Sequence, residues 1–489
     1  MRNILAKIKI KKIEHFFYLF TLATVIAFSI LLLPLPIFCS FIFIIIFIYM
    51  YLKFPRKIMI LLGIFLIFQE LLALQFGSRS LVGIMLKRSE EVAILVALLL
   101  LILGKILHKE KWERTAIDIP LVCLVLIAIF SSVRSQIVPY KLAGFDLFLL
   151  LKGFFVFFIF YNLNLNIKDV KKIAKIVFSF AILVLLFGAV DFIVPRPFRS
   201  FIHNSTFIDY RFGLPSVQSI FIHPGIFGWF MAFFASFCFA FFLILKKKRY
   251  LVFSISFILG VLLSMRFRPL GGLLIAFSIA FILIPSINKV RFIFAIVLLI
   301  LVFGGLFGKK INMLFEDKIY TYMQAPNLRI VPRNFLYITS FRIARDFFPF
   351  GSGLATFGGW ISVLYYSPLY SKYGISSIHG LQKGGSYIID TFWPYVIAQF
   401  GFIGASCYIW ILISLFYSTV KVLKKLDNLF LKAFVLGSLM ILTEAVVEAI
   451  ALHVFLKPPH YFFIFASLGI ANSLNKALNL NRNENPSCK

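Results

Sequence analysis

Acidic residues are scarce in this sequence, which has 19 Asp and Glu against 50 Lys and Arg among 489 residues. Cysteine is also scarce, and four of the five cysteines fall inside apolar runs, so the chain offers neither a disulfide framework nor the thiol spacing of a zinc site. Polar residues are too few in general: 61% of the chain is hydrophobic and its mean hydropathy is +0.97. A soluble globule is therefore excluded, because its polar surface could not cover its apolar interior. The chain is an integral membrane protein.

Long apolar runs recur through the sequence, and each is long enough to cross about 30 Å of hydrocarbon as a helix. We therefore predict an all-α polytopic membrane bundle of about fourteen transmembrane helices (12–14). The predicted spans are 15–33, 35–52, 58–76, 91–107, 116–132, 145–162, 174–194, 219–245, 250–265, 270–287, 292–308, 393–419, 430–451 and 460–478.

Lys and Arg are concentrated in alternate loops between these spans. With a cytoplasmic N-terminus, the short basic loops 53–57, 168–175, 246–249 and 421–432 all lie on the cytoplasmic side, as the positive-inside rule requires. Both termini are then expected to be cytoplasmic. This asymmetry accounts for most of the net charge of +31. Nucleic-acid binding is not expected, because no basic stripe lies on a soluble domain.

One segment is too long to be a simple connection. We divide the chain into eleven spans (1–308), a large extracytoplasmic loop with short helices (309–392), and three spans with a short cytoplasmic tail (393–489). A loop of this length in a compact protein is usually functional. Its stretch 333–348 predicts an amphipathic helix that Pro349 ends. The apolar face predicted for that helix consists of Phe335, Ile338, Phe341, Ala344 and Phe348.

Several arginines are predicted to lie at the outer membrane face. They are Arg211 in the segment 195–218, Arg266 and Arg268 in the turn RFRP between two spans, and Arg333, Arg342 and Arg345 on the loop helix. The planar guanidinium group suits phosphate oxygens, so these residues are candidates for binding a phosphate or diphosphate headgroup. The alternative is that they anchor helices at the interface. The glycine turn with Gly351 and Gly353 predicts a close approach of the backbone to another group.

Asp390 stands immediately before the span that begins near Phe392. One interpretation is that it caps this helix, because Asp is a favoured N-cap residue and Pro394 follows within the first turn. The other is that it acts as a general base toward a sugar hydroxyl. His379 is the reserve candidate for the base, with a solvated loop position as its alternative. Tyr373 belongs to a group of loop tyrosines that either stack on sugars or anchor the loop at the interface.

Charged residues inside the predicted spans also need an explanation, since a charge near the bilayer centre is costly. They are Glu70, Lys152, Glu444 and Glu448. Glu444 and Glu448 are one helical turn apart and share a face. We favour internal pairing, with Lys152 as the candidate partner; a proton path and a contact with the sugar cavity are the alternatives.

Over residues 204–404 the chain resembles the O-antigen ligase and O-antigen polymerase superfamily of bacterial polysaccharide enzymes. That family has an arginine before a central span, a second arginine after the next span, a P-x-G-x-G turn in a late loop, and a G-x-x-G pair. Arg211, then Arg266 or Arg268, the turn PFGSG at 349–353 and the stretch GFIG at 401–404 match these elements. Asp390 and Thr391 occupy the place of a His followed by Asn, Ser or Gln. This replacement fits a polymerase better than a ligase.

The resemblance implies a glycosyltransferase C-like bundle in the bacterial inner membrane, with no metal or other cofactor. We hypothesise a polymerase of exopolysaccharide, capsule or O-antigen that transfers a growing glycan from undecaprenyl diphosphate to a lipid-linked repeat unit with inversion. Asp390 would be the base, and Arg211, Arg266 and Arg268 would neutralise the leaving diphosphate. The expected substrate-binding residues are Arg333, Arg342, Arg345, Gly351, Gly353, His379 and Tyr373.

Two alternatives stay open. One is an O-antigen ligase that uses a lipid A core as acceptor, and the other, from a different class, is a lipid-linked oligosaccharide flippase. The expected partners are the undecaprenyl diphosphate-linked oligosaccharide and membrane lipid, with a chain-length regulator as a further candidate.

Overall fold

A computed structural model describes residues 35–77, 80–211, 213–284, 332–385 and 387–484. The predicted spans 15–33 and 292–308, and the first part of the predicted loop, lie outside the described residues. The helices are α1 (Leu35–Lys53), α2 (Pro55–Gln75), α3 (Leu81–Leu107), α4 (Asp118–Ser135), α5 (Tyr140–Asn162), α6 (Ile167–Ile193), α7 (Pro195–His203), α8 (Pro224–Leu245), α9 (Lys248–Leu263), α10 (Phe267–Leu283), α11 (Pro332–Asp346), α12 (Trp360–Tyr365), α13 (Pro368–Lys372), α14 (Phe392–Lys425), α15 (Leu429–Glu448) and α16 (His460–Glu484), with a 3₁₀ turn at Ile375–Ser377. Strands β1 (Tyr210–Arg211) and β2 (Leu214–Pro215) form a small antiparallel hairpin.

The prediction of an all-α membrane bundle is confirmed, but the predicted number of spans is not. Within the described ranges, seven helices are long and apolar enough to cross a membrane: α2, α4, α5, α6, α8, α14 and α15. Three shorter apolar helical stretches accompany them, at Phe41–Lys53, Phe267–Leu283 and His460–Leu474. The described residues thus contain seven such helices, where fourteen spans were predicted for the whole chain. Two of the predicted spans lie outside the described residues; among the others, α9 and α10 have only 16 and 17 residues, and α3 carries charged side chains in its first half.

Helix α8 forms the centre of the bundle. Its sequence is apolar on every face and most of its side chains are buried, which is the pattern of a helix surrounded by other helices. It packs against α9, α10 and α15, while α5 packs against α16. Aromatic rings fill these interfaces: Phe239 stacks on Phe277 with ring centroids 4.1 Å apart.

The described part of the predicted loop packs around its own small apolar cluster. This cluster includes Phe335, Leu336, Ile343, Tyr370 and Ile388. The predicted amphipathic helix exists as α11, but the predicted buried face is wrong in part. Phe341 and Phe348 are 49% and 62% exposed, whereas the polar Thr339 and Ser340 are buried.

The segment after α6 is held by a buried ion pair. Nε of Arg199 donates to Oδ1 of Asp191 at 2.9 Å, and both side chains are almost completely buried. Arg199 also donates to the carbonyl of Ser216 at 2.6 Å, and the other Asp191 oxygen accepts the backbone N–H groups of Gln218 and Ser219. A buried charge is tolerated only when its hydrogen-bonding capacity is satisfied in this way. The pair therefore fixes the path of the loop that carries the β1–β2 hairpin.

The charged residues inside the bundle pair differently from the prediction. Lys152 donates to Glu90 at 3.0 Å and lies 3.5 Å from Glu91, rather than pairing with Glu444 or Glu448. The prediction failed because α3 begins ten residues earlier than the span expected there, so Glu90 and Glu91 lie in the middle of the helix rather than at its start, and both are buried. Outside the core, Glu70 lies 3.8 Å from Lys457.

Candidate functional site

Several chain segments meet at one end of the bundle. They are the β1–β2 hairpin with the residue before it, the start of α8, the start of α10, the start of α11, the loop before α14, and the end of α15 with the loop after it. Each brings at least one charged or titratable side chain. We call the set Asp209, Arg211, His223, Arg266, Arg268, Arg333, Asp390, Glu448 and Lys457 the charged cluster.

Asp209 joins two of the predicted arginines. Its Oδ2 accepts from Nη2 of Arg266 at 2.6 Å and from Nε of Arg211 at 3.3 Å. The hairpin places Asp209 and Arg211 on one short ribbon, and Arg266 reaches them as the residue that caps α10. Burial, and then the charge of Arg211, lower the pKa of Arg266 to about 10. The predicted convergence of Arg211 and Arg266 is therefore present in the structure, with a carboxylate between them.

Arg268 lies in the first turn of α10, deeper than the predicted turn would have placed it. One of its guanidinium nitrogens donates to the carbonyl of Ala451, in the loop after α15. It also lies within electrostatic range of Glu448, Arg333 and Asp390. A Cβ on Gly225 would lie 3.8 Å from Nη2 of Arg268, so this guanidinium group is in contact range of the start of α8. Arg268 thus connects the arginine side of the cluster with its acidic side.

Asp390 pairs with an arginine instead of capping α14. Nη2 of Arg333 donates to Oδ2 of Asp390 at 3.2 Å. The N-cap residue of α14 is Thr391, whose side chain makes no capping hydrogen bond. Burial raises the pKa of Asp390 above its ordinary value, although Arg333, Arg268 and Lys457 favour its charged form. A carboxylate with a raised pKa is a stronger base than an ordinary aspartate.

His223 lies among the cations of the charged cluster. It is the N-cap of α8, and its Nδ1 accepts the backbone N–H of Gly225 at 2.9 Å. Burial, followed by the charges of Arg266, Lys457, Arg268 and Arg211, lowers the pKa of His223 to about 4. The imidazole is therefore neutral near pH 7. Cations that depress a histidine pKa in this way produce a positive potential that an anion would relieve.

The other predicted substrate-binding side chains are not brought into the cluster by any contact. Arg342 and His379 are exposed. Arg345 is 79% exposed and lies 3.7 Å from Asp346, the local ion pair expected from their adjacency. The hydroxyl of Tyr373 donates to the same carboxylate at 2.8 Å, and burial raises the pKa of that hydroxyl. Tyr373 therefore fastens its loop to the end of α11.

Gly351 and Gly353 are buried against protein, so the close approach predicted there is made to α14 and α4. Gly351 has φ 79°, and a Cβ on it would lie 2.3 Å from the backbone nitrogen of Gly401. Gly401 itself interrupts α14 with φ 64° and ψ −166°. The N–H of Gly353 donates to the carbonyl of Gln399 at 2.8 Å, and a Cβ on Gly353 would meet Ser132. Only glycine permits these contacts at positive φ.

The docked glycine turn continues into a buried polar contact with α5. The backbone N–H of Ala355 donates to Asp146 at 2.9 Å and to Oε1 of Gln399 at 3.2 Å. Gln399 in turn donates to the carbonyl of Phe357 at 2.7 Å, and Leu354 donates to the hydroxyl of Ser132 at 2.9 Å. The loop is thus held to the bundle by hydrogen bonds that satisfy its buried backbone.

Sequence reasoning missed Asp209, Glu448 and Lys457 as members of the cluster. Asp209 had an available signal, because it lies two residues before Arg211 in the segment 195–218, which is otherwise without acids. Glu448 was noted only as a buried charge. Lys457 had no signal, since its position depends on the path of the loop between α15 and α16.

The cluster combines two partly exposed carboxylates, those of Asp209 and Asp390, with an array of guanidinium groups. In the part of the chain that is described, no three His, Cys, Asp or Glu side chains group as metal ligands would. The groups available for chemistry are thus a raised-pKa acid and fixed positive charges. Such an arrangement can accept a proton and stabilise a phosphate-type anion.

Comparisons with known proteins do not add to this picture. No protein-family model matches the chain, and a search of curated protein sequences finds no significant match.

Proposed function

We propose that the charged cluster is the active site of an inverting, metal-independent glycosyltransferase that polymerises a bacterial polysaccharide. The donor is a growing glycan on undecaprenyl diphosphate, and the acceptor is a lipid-linked repeat unit. The observation that carries this proposal is that Asp390 accepts a hydrogen bond from Arg333 at 3.2 Å and lies within electrostatic range of Arg268. A base and an anion-binding array are the two functions that such a reaction requires.

In the proposed step, the oxygen of an acceptor hydroxyl forms a bond to the anomeric carbon of the donor glycan. The bond from that carbon to the diphosphate oxygen breaks, and undecaprenyl diphosphate leaves with the electron pair. The hydroxyl proton passes to Asp390. Because attack and departure occur on opposite faces, the anomeric configuration inverts.

The arginines are assigned to the leaving group. Arg266 is fixed by Asp209 and Arg268 by the carbonyl of Ala451, so both guanidinium groups are already oriented before a ligand binds. Fixed charges need little reorganisation when negative charge develops, and one such donor is typically worth about 3 kcal/mol of transition-state stabilisation. The placement of four cations around His223 supports the same assignment.

The proposal includes the setting of the reaction. The cluster would face the extracytoplasmic side of the bacterial inner membrane, with both termini in the cytoplasm. That orientation rests on the basic loops 53–57, 168–175, 246–249 and 421–432, which alternate with the segments that build the cluster.

The decisive experiment incubates the purified full chain with undecaprenyl diphosphate repeat units and separates the products by length. A ladder is expected for the wild type, and at least a hundredfold loss is expected for Asp390→Asn, which keeps the shape but cannot accept the proton. Arg342→Gln is the matched control, since Arg342 is exposed and belongs to no described part of the cluster. A full ladder from Asp390→Asn would reject Asp390 as the base. Transfer to a lipid A core without a ladder would instead indicate a ligase.

A further inference from the structure

A second ligand-binding feature lies away from the charged cluster. It is a crevice of about 470 Å³ between α2, α6, α8, α9, α15 and α16, within the range of about 300–1,000 Å³ typical of small-molecule sites. Its walls are aromatic and aliphatic, and they include Phe178, Phe233, Phe237, Phe434 and Phe463. Such a lining suits a hydrocarbon chain and offers few partners to a polar ligand.

The crevice is bordered mainly by the helix halves that lie away from the cluster. Helix α8 begins beside the cluster at His223, but it lines the crevice with its second half, through Phe233 to Phe241. Helix α15 ends at Glu448 in the cluster and lines the crevice with its first turns. Helix α9 contributes its own start, at Arg249 and Tyr250. A ligand here is therefore distinct from the substrate proposed for the cluster.

Cations surround the crevice without acidic partners of their own. Lys171, Lys175 and Arg249 line it and are exposed, and none of them takes part in an ion pair of the described chain. The acid closest in sequence, Asp169, is already paired with Arg56 at 2.6 Å. Lys171 lies over the ring of Phe430, with 5.4 Å from its nitrogen to the ring centroid, so one charge is placed directly above the apolar wall.

We propose that this crevice binds an anionic phospholipid of the membrane leaflet at that end, with one acyl chain among the phenylalanines and the phosphate among Lys171, Lys175 and Arg249. Three unpaired cations at the mouth of an apolar crevice complement a ligand that has an anionic head and a hydrocarbon tail. A phospholipid fits better than a polyprenyl diphosphate glycan, because that substrate is assigned to the opposite end of the bundle. This choice between the two lipids rests on the proposed function, whereas the binding of an anionic lipid in the crevice does not.

The test is photolabelling of the full chain, reconstituted in lipid nanodiscs, with phosphatidylglycerol that carries a diazirine near the end of one acyl chain. We expect labelled peptides from α6, α8 and α15. Substitution of Lys171, Lys175 and Arg249 by Gln should reduce this labelling about tenfold or more at low salt. The matched control removes the same charge from the same end of the bundle, by substitution of Lys421, Lys424 and Lys425 by Gln, and should label like the wild type.

Three further comparisons make the result decisive. A phosphatidylcholine probe of the same design should label these peptides much more weakly, and Ala174→Trp, which fills the crevice, should abolish the labelling while the protein elutes as a single species. Equal labelling by both probes, or by the three-site variant and its control, would overturn the proposal. Displacement of the phosphatidylglycerol probe by an equal mole fraction of undecaprenyl phosphate would also overturn it, in favour of a polyprenyl site.

Discussion

The docking of the glycine turn on α14 predicts a specific loss of stability in Gly351→Ala. A Cβ at Gly351 would lie 2.3 Å from the nitrogen of Gly401 and 2.6 Å from the carbonyl oxygen of Gln399, and neither backbone atom can move without displacing α14. The left-handed φ of 79° adds conformational strain of about 1–2 kcal/mol. Overpacking of a tight contact costs about 1–3 kcal/mol. The expected total is about 2–5 kcal/mol of the free energy of unfolding.

The matched control is Gly384→Ala. Gly384 has φ 84° but no heavy atom within 4 Å of the position its Cβ would take, so only the strain applies. The assay is thermal unfolding of the two variants and the wild type in one detergent. Gly351→Ala should unfold at a clearly lower temperature than Gly384→Ala. The double variant with Gly401→Ala should cost less than the sum of the two single variants, because both methyl groups disrupt the same contact. Equal melting of Gly351→Ala and Gly384→Ala would refute the docking.

Three other predictions concern the cluster and the helix packing. Asp209→Asn should weaken the orientation of both arginines it holds and reduce turnover about tenfold or more in the ladder assay, with little change in melting temperature. The rate of the ladder assay should fall as the pH is lowered through the pKa of Asp390, because this residue must be ionised to act as a base. Since that pKa is raised, the fall should occur above the ordinary aspartate pKa of about 3.9. A rate that does not depend on pH in this range would contradict the assignment. Gly272→Ala should lower the free energy of unfolding by about 1–3 kcal/mol, because its Cβ would lie 2.9 Å from Cγ of Glu444. A Cβ on the neighbouring Gly271 would meet no atom within 4 Å, so Gly271→Ala should be neutral or stabilising. Thermal unfolding of the two variants tests this difference.

Hydropathy predicted most of the bundle correctly, because a chain this apolar must bury its backbone in helices within a membrane. It predicted the buried face of α11 less well. In a soluble protein the apolar stripe of a helix faces the core, but beside a membrane an exposed phenylalanine costs little. Phe341 and Phe348 are exposed and approach Phe402, while Thr339 and Ser340 are buried.

Ion pairs between distant parts of the chain could not be predicted from the sequence. Lys152 is 62 residues from Glu90, and Arg333 is 57 residues from Asp390. The alternation of the predicted spans suggested that Arg211, Arg266 and Arg268 lie at the same end of the bundle, and the structure places them there together. Sidedness could not indicate that Asp209 joins two of them, since a direct contact depends on the paths of individual loops.

The ion pair Arg333–Asp390 is much more exposed than the pair Lys152–Glu90. This difference predicts that the first pair contributes little to stability and the second contributes strongly. The side chains of Arg333 and Asp390 are 39% and 38% exposed, so their attraction is screened and contributes at most about 1 kcal/mol to stability. The side chains of Lys152 and Glu90 are 4% and 1% exposed, and removal of one partner from such a pair leaves a buried charge that costs about 3–5 kcal/mol. Asp390→Asn should therefore melt like the wild type and lose activity, whereas Lys152→Met should melt at a lower temperature, with a partial recovery when Glu90→Gln is added. If Asp390→Asn unfolds as readily as Lys152→Met, the acid is a structural partner of Arg333, and the base must be sought elsewhere.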